Sequence, residues 1–331
     1  MLDAAANIDC LDAAGVCLAA HPHAAPQMTA NVRAMAARSA LAPEADVIAS
    51  IAMATSDTGF KVPILLVDSN SFHRPELLSY LSSTTSNRIA ITEEVLVEMH
   101  KNEPALTIRK TLQTVRPFAN QIVILKGASQ LHARAISSAA QSRWIVDKLQ
   151  TSRFADWYDE VCEGLLTEAL ATKQSQAKSY MGDIKAQVGG LEPTFRKIKR
   201  RFTQEELKIL RSNSPASAQT QAKLIELMFE ISLAMFRAIG VSEKERPTLR
   251  YEAFDYFVFR YAMCMTLFYI RWVQNGNLSP NDEALANHVI DLHVATMGTF
   301  FSGVCSQDGM LRDISRTARM LLRLSGQAYL G

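Results

Sequence analysis

The stretch DLHVATMGTFFSGVCSQDGML (291–311) decides the fold reading. An acid, Asp291, is followed by an apolar run with helical spacing. The run breaks at small residues, and a short β-branched segment, GVC, leads to a second acid, Asp308. Read locally, Asp291 starts the helix and Asp308 ends the strand. In an α/β layer, a helix start and the carboxyl end of a neighbouring strand lie on the same rim, the rim where ligands bind. Working outward, KVPILLVDSN (61–70) has the same character: a continuous apolar run, typical of a strand buried on both faces, stopped by Asp68. The segment ITEEVLVEMHK (91–101) then brings Glu93, Glu94 and Glu98 onto a helix opened by Thr92.

In that order, VDSN, RIAITEEVLVEM and DLHVA…GVCSQD resemble the PIN domain family of metal-dependent nucleases. The resemblance covers about 61–140 and 284–331. It implies an α/β fold with a parallel sheet flanked by helices, and acids that hold Mg²⁺ or Mn²⁺ for cleavage of phosphodiesters, most often in RNA. Carried over position by position, the acids are Asp68, Glu98, Asp291 and Asp308, with Asp68, Asp291 and Asp308 as direct ligands. Hard divalent ions prefer carboxylate oxygen and water, and the set contains no His or Cys. Ser69 and Asn70 fall where a side chain would steady the first acid or touch substrate. Glu93 and Glu94 lie in a first helical turn, where acids suit the helix dipole without further purpose. Asp282 reads as a cap and Asp313 as a solvated neighbour of the site.

Substrate would need cations. FRKIKRRF (195–202) sets Arg196, Lys197, Lys199, Arg200 and Arg201 between two aromatics, a composition suited to phosphate contact with base stacking. Beyond Asp308, Arg312, Arg316, Arg319 and Arg323 fall on one stripe of a final helix. The whole chain carries a net charge of only +2, so nucleic-acid binding has to rest on such local patches.

The 331 residues, 48% hydrophobic and 21% charged, describe a core-forming protein. Residues 1–60 are Ala-rich and read as a loose extension. Strands and helices alternate over 61–130, as in a parallel sheet. Residues 131–283 show helical spacing only, with a Thr203–Glu206 capping box and a stop at Gly240, and read as a large helical insertion. The nuclease layer resumes over 284–331. The most apolar stretch, FVFRYAMCMTLFYIRWV (257–273), contains Arg260 and Arg271 and reads as a buried helix and not a membrane span. Five widely spaced Cys without a CxxC pair suit reduced thiols in a cytoplasm. GxxxxGK[ST], GxGxxG and GxSxG are absent, and Asn70 stands where a nucleophilic-aspartate phosphatase would carry a second Asp.

The expectation is thus a cytoplasmic, metal-dependent ribonuclease, with a toxin or defence role by family analogy. RNA is the expected substrate, and an antitoxin or complex component the expected protein partner of the insertion. A structure-specific DNA nuclease and a catalytically silent interaction module are the alternatives.

Overall fold

A computed structural model describes residues 64–131, 145–212, 214–247, 250–276 and 281–325. The 1–60 extension lies outside the described residues. Four short strands form one parallel sheet in the order β3-β2-β1-β4: β1 (Ile64–Val67), β2 (Arg88–Ile91), β3 (Ile122–Ile124) and β4 (Val304–Cys305). All four residues of β1 are buried, as a strand covered on both faces requires. Helix α1 (Pro75–Ser83) links β1 to β2, its Pro at the start where no N–H is needed. Helix α2 (Glu93–His100) follows β2 and is capped by Thr92, whose hydroxyl accepts from the Val95 N–H at 3.3 Å. Helix α3 (Pro104–Leu112) ends earlier than helical spacing over 104–118 predicts. A 3₁₀ turn, Arg116–Gln121, replaces its last part, and Pro117 in that turn cannot continue an α-helix.

Beyond a single bridge between Leu125 and Val146, the described residues from 145 to 276 form no strand. They form α4 (Lys148–Cys162), α5 (Thr167–Val188), α6 (Leu191–Lys199), α7 (Gln204–Arg211), α8 (Ala218–Ala238) and α9 (Phe257–Gln274). The capping box at Thr203 and Glu206 is present, and Gly240 takes φ +74° just past α8, as a helix stop does. These helices are not held off by a linker. One hydrophobic core runs from Ile64 through Phe195, Met228 and Phe259 to Leu322. Helix α5 packs on α2 and on α10 (Asp282–Gly298), and α9 packs on α10 and on α11 (Gly309–Leu324). Within α9, Arg260 is buried: it donates to the carbonyls of Phe254 and Thr299, both at 2.7 Å, and lies 3.8 Å from the centre of the Phe300 ring. Among the described residues no helix is long and apolar enough to cross a membrane.

Two local expectations are corrected. Asp291 does not start its helix. Helix α10 begins at Asp282 with Asn281 as the cap, accepting from the Ala284 N–H at 2.9 Å, so Asp291 lies in its third turn. Nor does Asp308 end a strand: β4 stops at Cys305, and Asp308 caps α11 by accepting from the Leu311 N–H at 2.8 Å. The close junction of α10, β4 and α11 depends on Gly298. A Cβ there would stand 2.2 Å from Val304 Cγ2 and 2.9 Å from Ser315 Oγ.

Candidate functional site

From β1 the chain steps outward to β2 and β3, then returns to place β4 on the other side of β1. The strand order therefore reverses between β1 and β4, and open α/β sheets bind ligands at the carboxyl end of such a reversal. Asp68 follows β1 there. Its N–H donates to the Cys305 carbonyl at 2.9 Å, which continues the β1–β4 ladder past Val67. The next position on β4 is Ser306, and its hydroxyl donates to Asp68 Oδ2 at 2.7 Å. Ser306 Oγ in turn accepts from the Asp308 N–H at 3.0 Å. Two strand ends are thus tied through one carboxylate that is only 5% exposed.

The other acids arrive on helices. Glu98 is in the second turn of α2, and Ser69 Oγ donates to its Oε2 at 2.7 Å while standing 3.4 Å from Asp68 Oδ1. Helix α10 runs towards β4 and ends at Gly298, so Asp291 lies about 10 Å back along its axis, close to the height of a four-residue strand. Burial pushes the Asp68 carboxyl above its ordinary range. The Ser306 hydrogen bond opposes this, and the charge of Asp291 adds to it. Burial likewise raises Glu98, against the Ser69 hydrogen bond, and the charges of Asp68 and Asp291 raise it further. Asp68, Glu98 and Asp291 therefore share one electrostatic site. His288 Nδ1 lies 3.7 Å from Asp291 Oδ2, one turn away on the same helix.

Asp308 sits at the same rim, but its carboxylate is engaged as the cap of α11. Asn70 is exposed beside Asp68, and its backbone carbonyl accepts from Gln307 Nε2 at 3.0 Å. As placed, no three His, Cys, Asp or Glu side chains among the described residues close into a ligand set for a metal ion. The donors suit a hard cation in kind, since all are carboxylates.

The two basic patches part company. Phe195 and Phe202, read from sequence as stacking groups, are core residues: Phe195 packs against Phe268, Tyr269 and Trp272, and Phe202 against Tyr269. Between them, Arg196 pairs with Glu192 and Arg201 with Glu230, while Lys197 and Arg200 are exposed and Lys199 half-buried. On α11, Arg312 is one turn from Asp308, but the helix then runs away from the rim. Arg316 pairs with Asp313, which also binds Arg271 of α9. Arg319 lies about 16 Å beyond Asp308 along the helix axis. Its guanidinium rests where a Cβ on Gly303 would stand, 2.7 Å from Nη1, beside the amino end of β4. The stripe therefore spans the height of the sheet, and only its first member adjoins the acids. Asp313 is an ion-pair residue and not a ligand. Asp282 is the first residue of α10, in its first turn.

Ser306 was not singled out from sequence. Its one local signal is its place in VCSQD, two residues before a helix-capping acid. No known protein-family model, curated protein or solved structure matches this chain.

Proposed function

We propose that the chain is a PIN-like, metal-dependent nuclease acting on RNA, with Asp68, Glu98 and Asp291 as its reactive acids. One observation carries this reading: three carboxylates from distant parts of the chain are coupled by charge near the reversal point of a parallel sheet, where two have their pKa values raised. Such an arrangement costs stability unless a cation or a proton relieves it. A bound Mg²⁺ or Mn²⁺ would supply charge neutralisation at the phosphate and an activated water. Asp68 is the fixed member, oriented by Ser306. Glu98, its pKa raised by burial and its carboxylate held by Ser69, is the candidate proton-exchanging group. Asp308 orients Ser306 through its backbone and begins the helix that presents Arg312. Lys197, Lys199, Arg200 and Arg312 of α11 are the candidate phosphate contacts, and the helical block is the surface on which a partner protein would dock. A cytoplasmic setting fits the free, partly or fully buried thiols of Cys162, Cys264 and Cys305.

The test is cleavage of end-labelled single-stranded RNA and matched DNA with Mg²⁺, Mn²⁺ or chelator. Metal-dependent RNA cleavage that Asp68→Asn removes supports the reading. DNA cleavage alone would support a structure-specific DNA nuclease instead. The second reading, a silent interaction module, is favoured by the absence of a closed metal-ligand set among the described residues. It predicts no cleavage and no carboxylate-dependent binding of either metal.

A further inference from the structure

The face of α2 that leads away from Glu98 borders a second space. A cavity of about 970 Å³ lies between α2, the carboxyl end of β3, α4, α5 and α10. That is the size range of small-molecule sites. Its walls are largely apolar and aromatic, with Phe154, Trp157, Leu170 and Ile184 among them. One group of polar side chains gathers near the start of α2, while others, such as Arg153, Glu160 and Asp183, lie along α4 and α5. Glu94, only 3% exposed, and Glu93 both line the cavity, together with Tyr180 of α5. Gly127 makes room for this arrangement, because a Cβ there would stand 1.5 Å from Glu93 Oε2.

The charge of the lining is one-sided. Five carboxylates face three side-chain cations, and burial holds both His100 and His293 of the lining below the ordinary imidazole range. Burial pushes the Glu93 carboxyl upward, the charges of Glu94 and Asp147 add to this, and Lys173 offsets part of it. The Tyr180 phenol is raised by burial and by the charges of Glu94 and Glu93, so it remains a proton donor beside them. A mainly apolar and aromatic chamber with a carboxylate and phenol cluster at Glu93, Glu94 and Tyr180 matches a molecule that is apolar at one end and cationic at the other. Aromatic walls add cation–π and stacking contacts to such a guest.

We propose that this cavity is a binding site for a small amphipathic organic amine, its ammonium against Glu94 and Glu93 and its apolar body against Trp157 and Phe154. The site is separate from the acid cluster at Asp68 and does not depend on the nuclease reading.

The probe is phenethylamine, with 2-phenylethanol as its uncharged analogue, titrated by calorimetry and ligand-observed NMR into the full chain. Saturable binding of the amine at millimolar or lower concentration is expected, with the alcohol at least about tenfold weaker. Glu94→Gln should weaken the amine by about tenfold or more and leave the alcohol unchanged, Trp157→Ala should weaken both, and Asp68→Asn should change neither. Equal affinity for amine and alcohol, or no saturable binding of the amine to the unaltered chain, would overturn the proposal even if a variant fails to fold.

Discussion

Asp68 and Ser306 stand 238 residues apart in the chain and share a 2.7 Å hydrogen bond at the end of the β1–β4 pair. Register makes them neighbours: Val67 pairs with Cys305, and side chains one step further on adjacent parallel strands point the same way. The bond holds Oδ2 and leaves Oδ1 towards Ser69 and Glu98, so it fixes which oxygen is available at the rim. Ser306→Ala would remove a buried donor to a carboxylate. The expected cost is about 1.5–3 kcal/mol if Asp68 is ionised, less if it takes up a proton. Urea unfolding from pH 8 downward checks this: the loss should shrink as Asp68 takes up its proton. A loss that stays constant down to acid pH would mean that the bond to Asp68 does not carry it.

Asp68 and Glu98 both have folded-state pKa values above their ordinary ones, so the folded state binds more protons than the unfolded state between the two values. Stability then falls as pH rises through that window. Without divalent cation, Asp68→Asn should therefore raise the unfolding midpoint at pH 7 by a few degrees, and millimolar Mn²⁺ should do the same for the unaltered chain but not for the variant. Thermal scans with and without chelator provide the measurement, and a lower midpoint for Asp68→Asn would contradict the coupling.

His293 works in the opposite sense. Burial pushes its imidazole down to about 4, against an ordinary 6.5. The unfolded chain takes up a proton below the ordinary value while the folded chain does not, so His293 withdraws stability as pH falls from about 6.5 towards 4. Replacing it with Gln should flatten the pH dependence of unfolding over that interval. An unchanged slope between pH 6.5 and 4.5 would show that other groups govern it.

Gly298→Ala should be among the most damaging small substitutions. The added methyl would meet Val304 and Ser315 at distances no real contact tolerates, so the junction of α10, β4 and α11 must shift. A loss of about 1–3 kcal/mol is expected. Because a shift there also disturbs the placing of Asp291 relative to Asp68, any metal binding should weaken with it. Unfolding in urea and metal titration should move together.

The arginines on α11 should separate by depth. Arg312→Ala should flatten the salt dependence of RNA affinity by about 0.7, the slope contribution of one single-strand phosphate contact. Arg319→Ala, beside Gly303, should leave that slope unchanged and lower stability instead. Replacing Lys197, Lys199 and Arg200 together tests the other patch. Filter binding from low to moderate salt distinguishes these outcomes.

What the sequence disclosed and what it hid divide along the range of the interactions involved. Strand 88–91 and the helix after Thr92 were legible because apolar run, cap and periodicity all lie within a dozen residues. The buried nature of α9 followed from similar local signals, whereas the order of the strands is set by pairings between distant segments and was not legible. Asp291 was misplaced as a helix start because the real start, Asn281, lies ten residues upstream in a stretch of weak periodicity. Phe195 and Phe202 looked like stacking groups because their partners, Tyr269 and its neighbours, are far along the chain. Ser306 was invisible for the same reason: a serine acquires its role only when β4 is laid beside β1. Asp308 was misread in the same way: the strand stops at Cys305, and the Asp308 carboxylate caps the helix that follows.

The position of β1 between β2 and β4 has a consequence for synthesis of the protein. β2 and β3 can join β1 early, but one edge of β1 stays bare, and Asp68 lacks its serine, until residues 304–306 have left the ribosome. At about 5–20 residues per second, that wait lasts roughly ten to fifty seconds. During it the nascent chain holds an open strand edge and an unfinished acid cluster. A nuclease assembled in this order would be inert on the ribosome, surrounded by RNA, and would become competent only once nearly all of this sequence had been made.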